Sequence, residues 1–209
     1  MEFLVSNADF YWMLHEGIFS SDYPFRLNIK HYMLQEILTC KIDSSQSIAE
    51  IGAGTGHFAF LLNIIFHPRK YHLNELDTSK IHLFQNIKEI HQDSFKYDYC
   101  LIKGEDEKTN LKGKFDKIII RNTFHHFSDK KKMLEDIKQH LNPDGEVIVI
   151  EVFKEDAGHD LKAFPGAYSC YHQISERKFL KYFKKSNFQI ISNTKVQNRS
   201  IFVFKQNEK

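Results

Sequence analysis

From Ser47 onward, short β-branched runs alternate with longer segments whose apolar residues recur at helical spacing, the pattern of a parallel sheet covered by helices. Ile48–Ile51, Tyr71–Glu75, Cys100–Lys103, Lys117–Ile120 and Glu146–Glu151 are the expected strands of this α/β region, with Gln189–Val196 and Ser200–Phe204 as a closing antiparallel pair. Helices are expected over Gly56–Phe66, Thr78–Ile90, Asp129–Leu141 and Ile174–Ser186; in the second, Ile81, Phe84, Ile87 and Ile90 share one face. Asn142-Pro143-Asp144-Gly145 is expected to stop the helix that ends at Leu141 and to turn the chain into the next strand.

The first 46 residues read differently. Tyr11, Trp12, Met13, Leu14 and Ile18, then Tyr32, Met33, Ile37 and Leu38, suggest two helices ahead of the sheet, either a lid or a cover over one face or edge. Segment 1–46 is taken as part of the same domain as 47–209, because 209 residues fit one compact domain most simply. Apolar residues make up 42% and charged residues 27%, which excludes a disordered or fibrous chain. The balance of 29 basic against 27 acidic residues leaves +2, which excludes a dominant polyphosphate-binding surface but not a local basic patch. Cys40, Cys100 and Cys170 are far apart and odd in number, so neither a disulfide framework nor a metal site is expected. With no basic-then-apolar start and no apolar window near ~18 residues, the expectation is a soluble, cytoplasmic protein without membrane contact.

The richest stretch is Glu50-Ile51-Gly52-Ala53-Gly54-Thr55-Gly56, at the junction of the first strand with the first helix of the α/β region. Glycines there let the backbone turn tightly and approach a ligand. The spacing is G-x-G-x-G, whereas a dinucleotide fingerprint is G-x-G-x-x-G, and the Gly-Lys-Ser/Thr of a P-loop is missing. Glu50, just before the glycines, discourages a pyrophosphate and suits a ligand bearing an ammonium. Glu75 closes the next strand, where a carboxylate accepts ribose hydroxyls; Asp77 takes that role if the strand runs two residues longer. Gly104-Glu105-Asp106-Glu107 follows the third strand, a position from which a side chain can accept from an adenine amino group.

Together these motifs resemble the class I S-adenosylmethionine-dependent methyltransferases, from about Ser47 to Glu151. Glu50 to Gly56 is similar to that family's first motif, Glu75 to its ribose-binding acid and Gly104-Glu105-Asp106 to its adenine-side motif. Phe115 to Phe127 resembles the fourth-strand motif, and Leu141 to Glu151 the turn and fifth strand. The resemblance implies a Rossmann-like sheet of seven strands, mostly parallel with an antiparallel C-terminal strand, helices on both faces, and S-adenosyl-L-methionine across the carboxyl ends of the first strands. It implies cofactor contacts from Glu50, Gly52, Ala53, Gly54, Gly56, Glu75, Leu76, Glu105, Asp106, Arg121 and Asn122. Two departures, Glu75 in place of the commoner aspartate and Glu105 directly after Gly104, leave cofactor binding intact.

The sulfonium methyl is already activated, so holding an acceptor in line with it supplies much of the catalysis, and a hydroxyl or protonated amine also needs a base. His125 and His126 follow the fourth strand and are the candidate bases, with shaping of the cofactor pocket as their other reading. Tyr11, His15, Tyr168, Tyr171 and His172 are candidates for the acceptor side, and Tyr23 and Arg26 for closing the pocket; aromatic packing against the sheet is the alternative for the tyrosines. Asn122-Thr123-Phe124-His125 differs from the Asn/Asp-Pro-Pro-Tyr segment that holds planar amines, and Lys130-Lys131-Lys132 and Lys184-Lys185 read as solvated helix faces. A small-molecule acceptor is therefore favoured over a nucleic acid. The rivals are a nicotinamide-dependent oxidoreductase, a non-catalytic cofactor-binding subunit, and an RNA or protein methyltransferase.

Overall fold

The computed structural model describes residues 31–54, 56–77, 98–156 and 173–207. The helix expected over Thr78–Ile90 and the first of the two N-terminal helices lie outside these residues. Among them, α1 (His31–Thr39) precedes β1 (Ser47–Ile51), α2 (His57–Phe66), β2 (Lys70–Glu75), β3 (Asp98–Lys103) and β4 (Phe115–Arg121). A 3₁₀ turn at Phe124–His126 leads to α3 (Lys130–Gln139), β5 (Leu141–Glu151), α4 (Glu176–Lys185), β6 (Phe188–Val196) and β7 (Arg199–Gln206).

The strands form one seven-stranded sheet in the order β3-β2-β1-β4-β5-β7-β6. β1 pairs in parallel with β2 on one side and β4 on the other, while β7 runs antiparallel to both β5 and β6. This is the α/β fold expected from the sequence. The connections leave β1 and β4 in opposite directions, so a crevice opens at their carboxyl ends, where ligands bind in open α/β sheets.

Alternation along the strands feeds two cores. Ile48, Leu73, Ile119, Ile148 and Ile150 face α1 and α2, where Met33, Ile37, Phe58, Leu61 and Leu62 cover them. Ile51, Ile118, Ile120, Val147 and Val149 point the other way, towards Met133, Leu134 and Ile137 of α3 and Phe179 and Phe183 of α4. Helix α3 starts where the Asp129 carboxylate accepts the Lys131 and Lys132 N–H groups, each at 3.0 Å, and α4 where Ser175 Oγ accepts from Lys178. Both caps satisfy backbone donors that the first helical turn leaves open.

One expected boundary is corrected. The helix expected to reach Leu141 ends at Gln139, and Leu141 already pairs with Phe115 as the first residue of β5. Asn142 to Gly145 then loop out of the ladder before Glu146 resumes pairing opposite Lys117. The cause is tertiary: Phe115 N–H donates to the His140 carbonyl at 2.8 Å, pulling the chain into the sheet before the Pro-Asp-Gly turn rather than after it. Gly145 is required there, since a Cβ would press on the Phe115 and Asn142 carbonyls.

The far end of the sheet is held by phenylalanines. Phe183 of α4 stacks on Phe204 of β7 with centroids 3.9 Å apart, and Phe179, Phe124 and Phe188 close around it at 4.9, 5.3 and 5.6 Å. Burying such rings contributes both transfer energy and specific edge and stacking contacts. Phe183→Ala is expected to cost about 3–5 kcal/mol through the cavity it leaves. Chemical denaturation with an unchanged m-value checks this, and a loss under ~1 kcal/mol would contradict the packing described.

Candidate functional site

The glycine loop takes its shape from β2. Gly52 and Ala53 both donate their backbone N–H groups to the Asn74 carbonyl, at 2.9 and 3.0 Å. Gly54 N–H donates to Glu75 Oε2 at 2.6 Å. Gly52, Gly54 and Gly56 all lie at positive φ (70°, 58° and 79°), a region where side chains are strained. The first two of these glycines do different work. A Cβ on Gly52 would collide with the Thr123 side chain, whose hydroxyl donates to the Arg121 carbonyl at 2.9 Å and bridges to the Gly52 carbonyl at 3.2 Å. A Cβ on Gly54 would meet nothing within 4 Å. Gly52 is thus small for the protein's own packing, whereas Gly54 borders open space at the crevice.

Glu75 is the last residue of β2, as expected, and its carboxylate is buried. Besides Gly54, it accepts from the Leu76 and Asp77 N–H groups through Oε1, at 2.9 and 3.1 Å. Three of the roughly four lone-pair sites of a carboxylate are therefore committed to backbone, and one stays open to a ligand. Leu76 beside it is 52% exposed, an apolar surface at the mouth of the crevice. Glu105 and Asp106 lie in an exposed turn closed by the Glu105–Lys108 bridge. Gly104 anchors that turn to the end of β2: its N–H donates to the Glu75 carbonyl at 2.9 Å, and a Cβ would strike the Asn74 side-chain amide.

Glu50 is buried on the α1/α2 side of β1, with the Tyr71 hydroxyl donating to it at 2.8 Å. Burial pushes its carboxyl up to about 7, against the lowering effects of the Tyr71 hydrogen bond and the Arg121 charge. Arg121, ending β4, packs over the Phe58 ring and donates through Nε to Glu36 Oε2 at 2.8 Å. Arg199 Nε stands 3.1 Å from the other Glu36 oxygen, and its Nη1 donates to Asn122 Oδ1 at 2.7 Å. Asn122, at φ 49°, turns the chain out of β4. A fully buried glutamate of α1 thereby ties that helix to the ends of β4 and β7.

His125 is buried and His126 exposed, with ring centroids 4.1 Å apart. His125 Nδ1 lies 2.9 Å from Glu151 Oε1. Tyr11, His15, Tyr23, Arg26, Tyr168, Tyr171 and His172 lie outside the described residues. Sequence reasoning missed Asn74, Thr123, Glu36 and Glu151. Thr123 and Glu151 stood inside quoted motifs, but Glu36 and Asn74 have no local signature, since their partners lie far along the chain. Cys40 is buried, and its thiol is pushed up to about 12 by that burial, so it is no nucleophile. Among the described residues no group of three or more His, Cys, Asp or Glu is placed to hold a metal, and no helix is long and apolar enough to cross a membrane.

Residues 25–193 match the methyltransferase-domain family. The chain belongs to that family. It is 29% identical over 113 residues to a malonyl-[acyl-carrier protein] O-methyltransferase of Calditerrivibrio nitroreducens, covering 54% of this chain and 40% of that protein. It is 33% identical over 115 residues to a tRNA U34 carboxymethyltransferase of Campylobacter jejuni subsp. doylei, covering 54% and 38%. The chain thus spans well under half the length of the curated relatives it matches. A SAM-dependent methyltransferase from Aquifex aeolicus shares the fold with a TM-score of 0.69 at 17% identity, over 90% of this chain and 95% of that one. The glycopeptide N-methyltransferase MtfA, solved in complex with S-adenosyl-L-methionine, shares it with a TM-score of 0.66 at 15% identity, over 83% and 92%.

The Glu50 environment generates a pH prediction. Its folded value lies above the ordinary glutamate value of 4.5, so the fold favours the neutral form. That stabilisation is full below pH 4.5 and is lost as pH rises through about 7. Glu50→Gln should therefore gain in Tm relative to the parent between pH 5 and pH 8. A Tm difference that is flat across this range would contradict the assignment.

Proposed function

We propose that this methyltransferase-family chain binds S-adenosyl-L-methionine at the carboxyl ends of β1, β2 and β4 and transfers its methyl to a small-molecule acceptor. The observation that carries this reading is the glycine loop: bonded to Asn74 and Glu75, it leaves open space in front of Gly54. Those residues fit the cofactor. Glu75 keeps acceptor capacity for the ribose, exposed Leu76 offers a face to the adenine, and Glu105 or Asp106 takes its amino group. The backbone of Gly52, Ala53, Gly54 and Gly56 borders the amino-acid portion. Glu50, ionised by the approach of an ammonium, together with Arg121 and Asn122, holds that end.

When bound, the cofactor supplies an electrophilic methyl on sulfur. The chain's own residues shape the crevice, orient the ligand and keep water out, and positioning of this kind is worth about 7–11 kcal/mol of the barrier. His125 and His126 are our candidate bases. Tyr11, His15, Tyr168, Tyr171 and His172 remain our candidates for the acceptor side. The near-neutral charge supports a small acceptor. A tRNA acceptor is the second reading, favoured by the likeness to the tRNA U34 carboxymethyltransferase, and it predicts tRNA binding that falls steeply with salt.

Calorimetric titration with S-adenosylhomocysteine, with NAD as control, tests the reading. Binding of the former alone is the expected result, and selective NAD binding would revive the oxidoreductase. Gly54→Leu should abolish binding by filling the crevice. Glu75→Ala should cost about 1.5–3 kcal/mol, the worth of hydrogen bonds to a charged group. Unchanged affinity in both variants would place the ligand elsewhere.

A further inference from the structure

His125 and Glu151 form a buried pair where the chain leaves β4 and β5, neighbouring strands joined there by the Asn122 N–H to Ile150 carbonyl bond at 2.8 Å. The two residues are 8% and 1% exposed. Glu151 Oε1 takes His125 Nδ1 at 2.9 Å and the Val152 N–H at 3.2 Å, whereas Oε2 is buried and has no hydrogen-bond partner. A buried carboxylate oxygen left bare is costly, so a fold that keeps one at the carboxyl edge of its sheet holds an acceptor ready for a donor from outside. The turn carrying His125 is itself fixed. Lys130 Nζ donates to the His125 and Phe127 carbonyls at 3.2 and 2.7 Å, and Phe124 is locked among the phenylalanines of α4.

With Nδ1–H given to Glu151, the lone pair of a neutral imidazole sits on Nε2, which meets no partner among the described residues. Glu151 also supplies the negative charge that stabilises an imidazolium once formed. The other charged or titratable groups nearby are Lys130 of α3, Lys178 of α4, which acts on Lys130, and His126, whose ring lies tilted against that of His125. Lys130 is already spent on the two carbonyls.

We propose that His125 is the base of the methyl transfer, that Glu151 is its positioning residue, and that the acceptor is protic, an O–H or N–H compound and not a carboxylate. The proposal rests on the methyl-transfer reading above. In the step, the acceptor's proton passes to His125 Nε2 and the acceptor's lone pair forms the bond to the methyl carbon. The carbon–sulfur bond breaks with its electron pair going to sulfur, and the imidazolium afterwards releases the proton to water. A carboxylate acceptor has no proton for His125 to take, and its charge would be repelled by the half-satisfied Glu151.

The test uses the full chain. ¹⁵N-histidine NMR should show neutral His125 as the Nδ1–H tautomer, lost in Glu151→Ala. Turnover with a panel of phenols and amines, set against carboxylic acids of matched shape, should be confined to the protic compounds. Glu151→Gln still accepts from Nδ1 but carries no charge. It should lower kcat at least tenfold while leaving KM for S-adenosylmethionine and S-adenosylhomocysteine affinity unchanged, and Glu151→Asp should recover part of the loss. If Glu151→Gln does not fold, His125→Gln carries the same kcat-against-KM test. Preferential methylation of carboxylic acids, or full kcat in these variants, would overturn the proposal while homocysteine-ligand binding upheld the methyl-transfer reading. Absence of that binding would overturn both.

Discussion

The hydrogen bonds between the end of β2 and the glycine loop are the constraint on which the site depends. Two loop N–H groups converge on one carbonyl, that of Asn74, and a third reaches the Glu75 carboxylate. This clamp forces the left-handed turns at Gly52 and Gly54 and directs the chain into α2 through Gly56. Thr123 presses on Gly52 from the other side, so the loop is set between the strands that flank β1. Its conformation follows from the sheet register, and the open space before Gly54 is a product of the fold before any ligand arrives.

Several buried ionisable groups lie near the same edge. Glu36 is shared by Arg121 and Arg199, Glu50 sits with Tyr71, and Glu151 holds His125. Such groups are expensive to bury and rarely add net stability over apolar packing. Glu36 also anchors α1. Its side chain is tied to two strand ends while Met33 and Ile37 pack on the sheet, so this helix is fastened to the sheet by both an ionic and an apolar contact.

What the sequence disclosed depended on whether the signal was local. Strand positions were legible because alternation feeds two separate cores, and the glycine spacing was legible because positive φ leaves few other residues. The ends of β4 and β5 were less so. Leu141 reads as the last apolar residue of a helix, yet its pairing with Phe115, a long-range contact, makes it a strand residue. Glu151 reads as a strand terminus until His125, 26 residues earlier, is found against it. Asn74 is an unremarkable strand asparagine, yet its carbonyl shapes the glycine loop and its amide occupies the space that keeps Gly104 a glycine. Each of these roles is made by a contact between distant segments, which one-dimensional periodicity does not record.

The edge formed by β1, β2 and β4 is proposed as a nucleoside-sulfonium site built from the Gly54 opening and the Glu75 carboxylate. A crystal structure of the full chain with S-adenosylhomocysteine tests it most directly. Ribose hydroxyls on Glu75, the adenine against Leu76 and the homocysteine portion over Gly54 are the expected arrangement. A ligand bound elsewhere, with the Gly54 opening empty and Glu75 holding only backbone N–H groups, would contradict it.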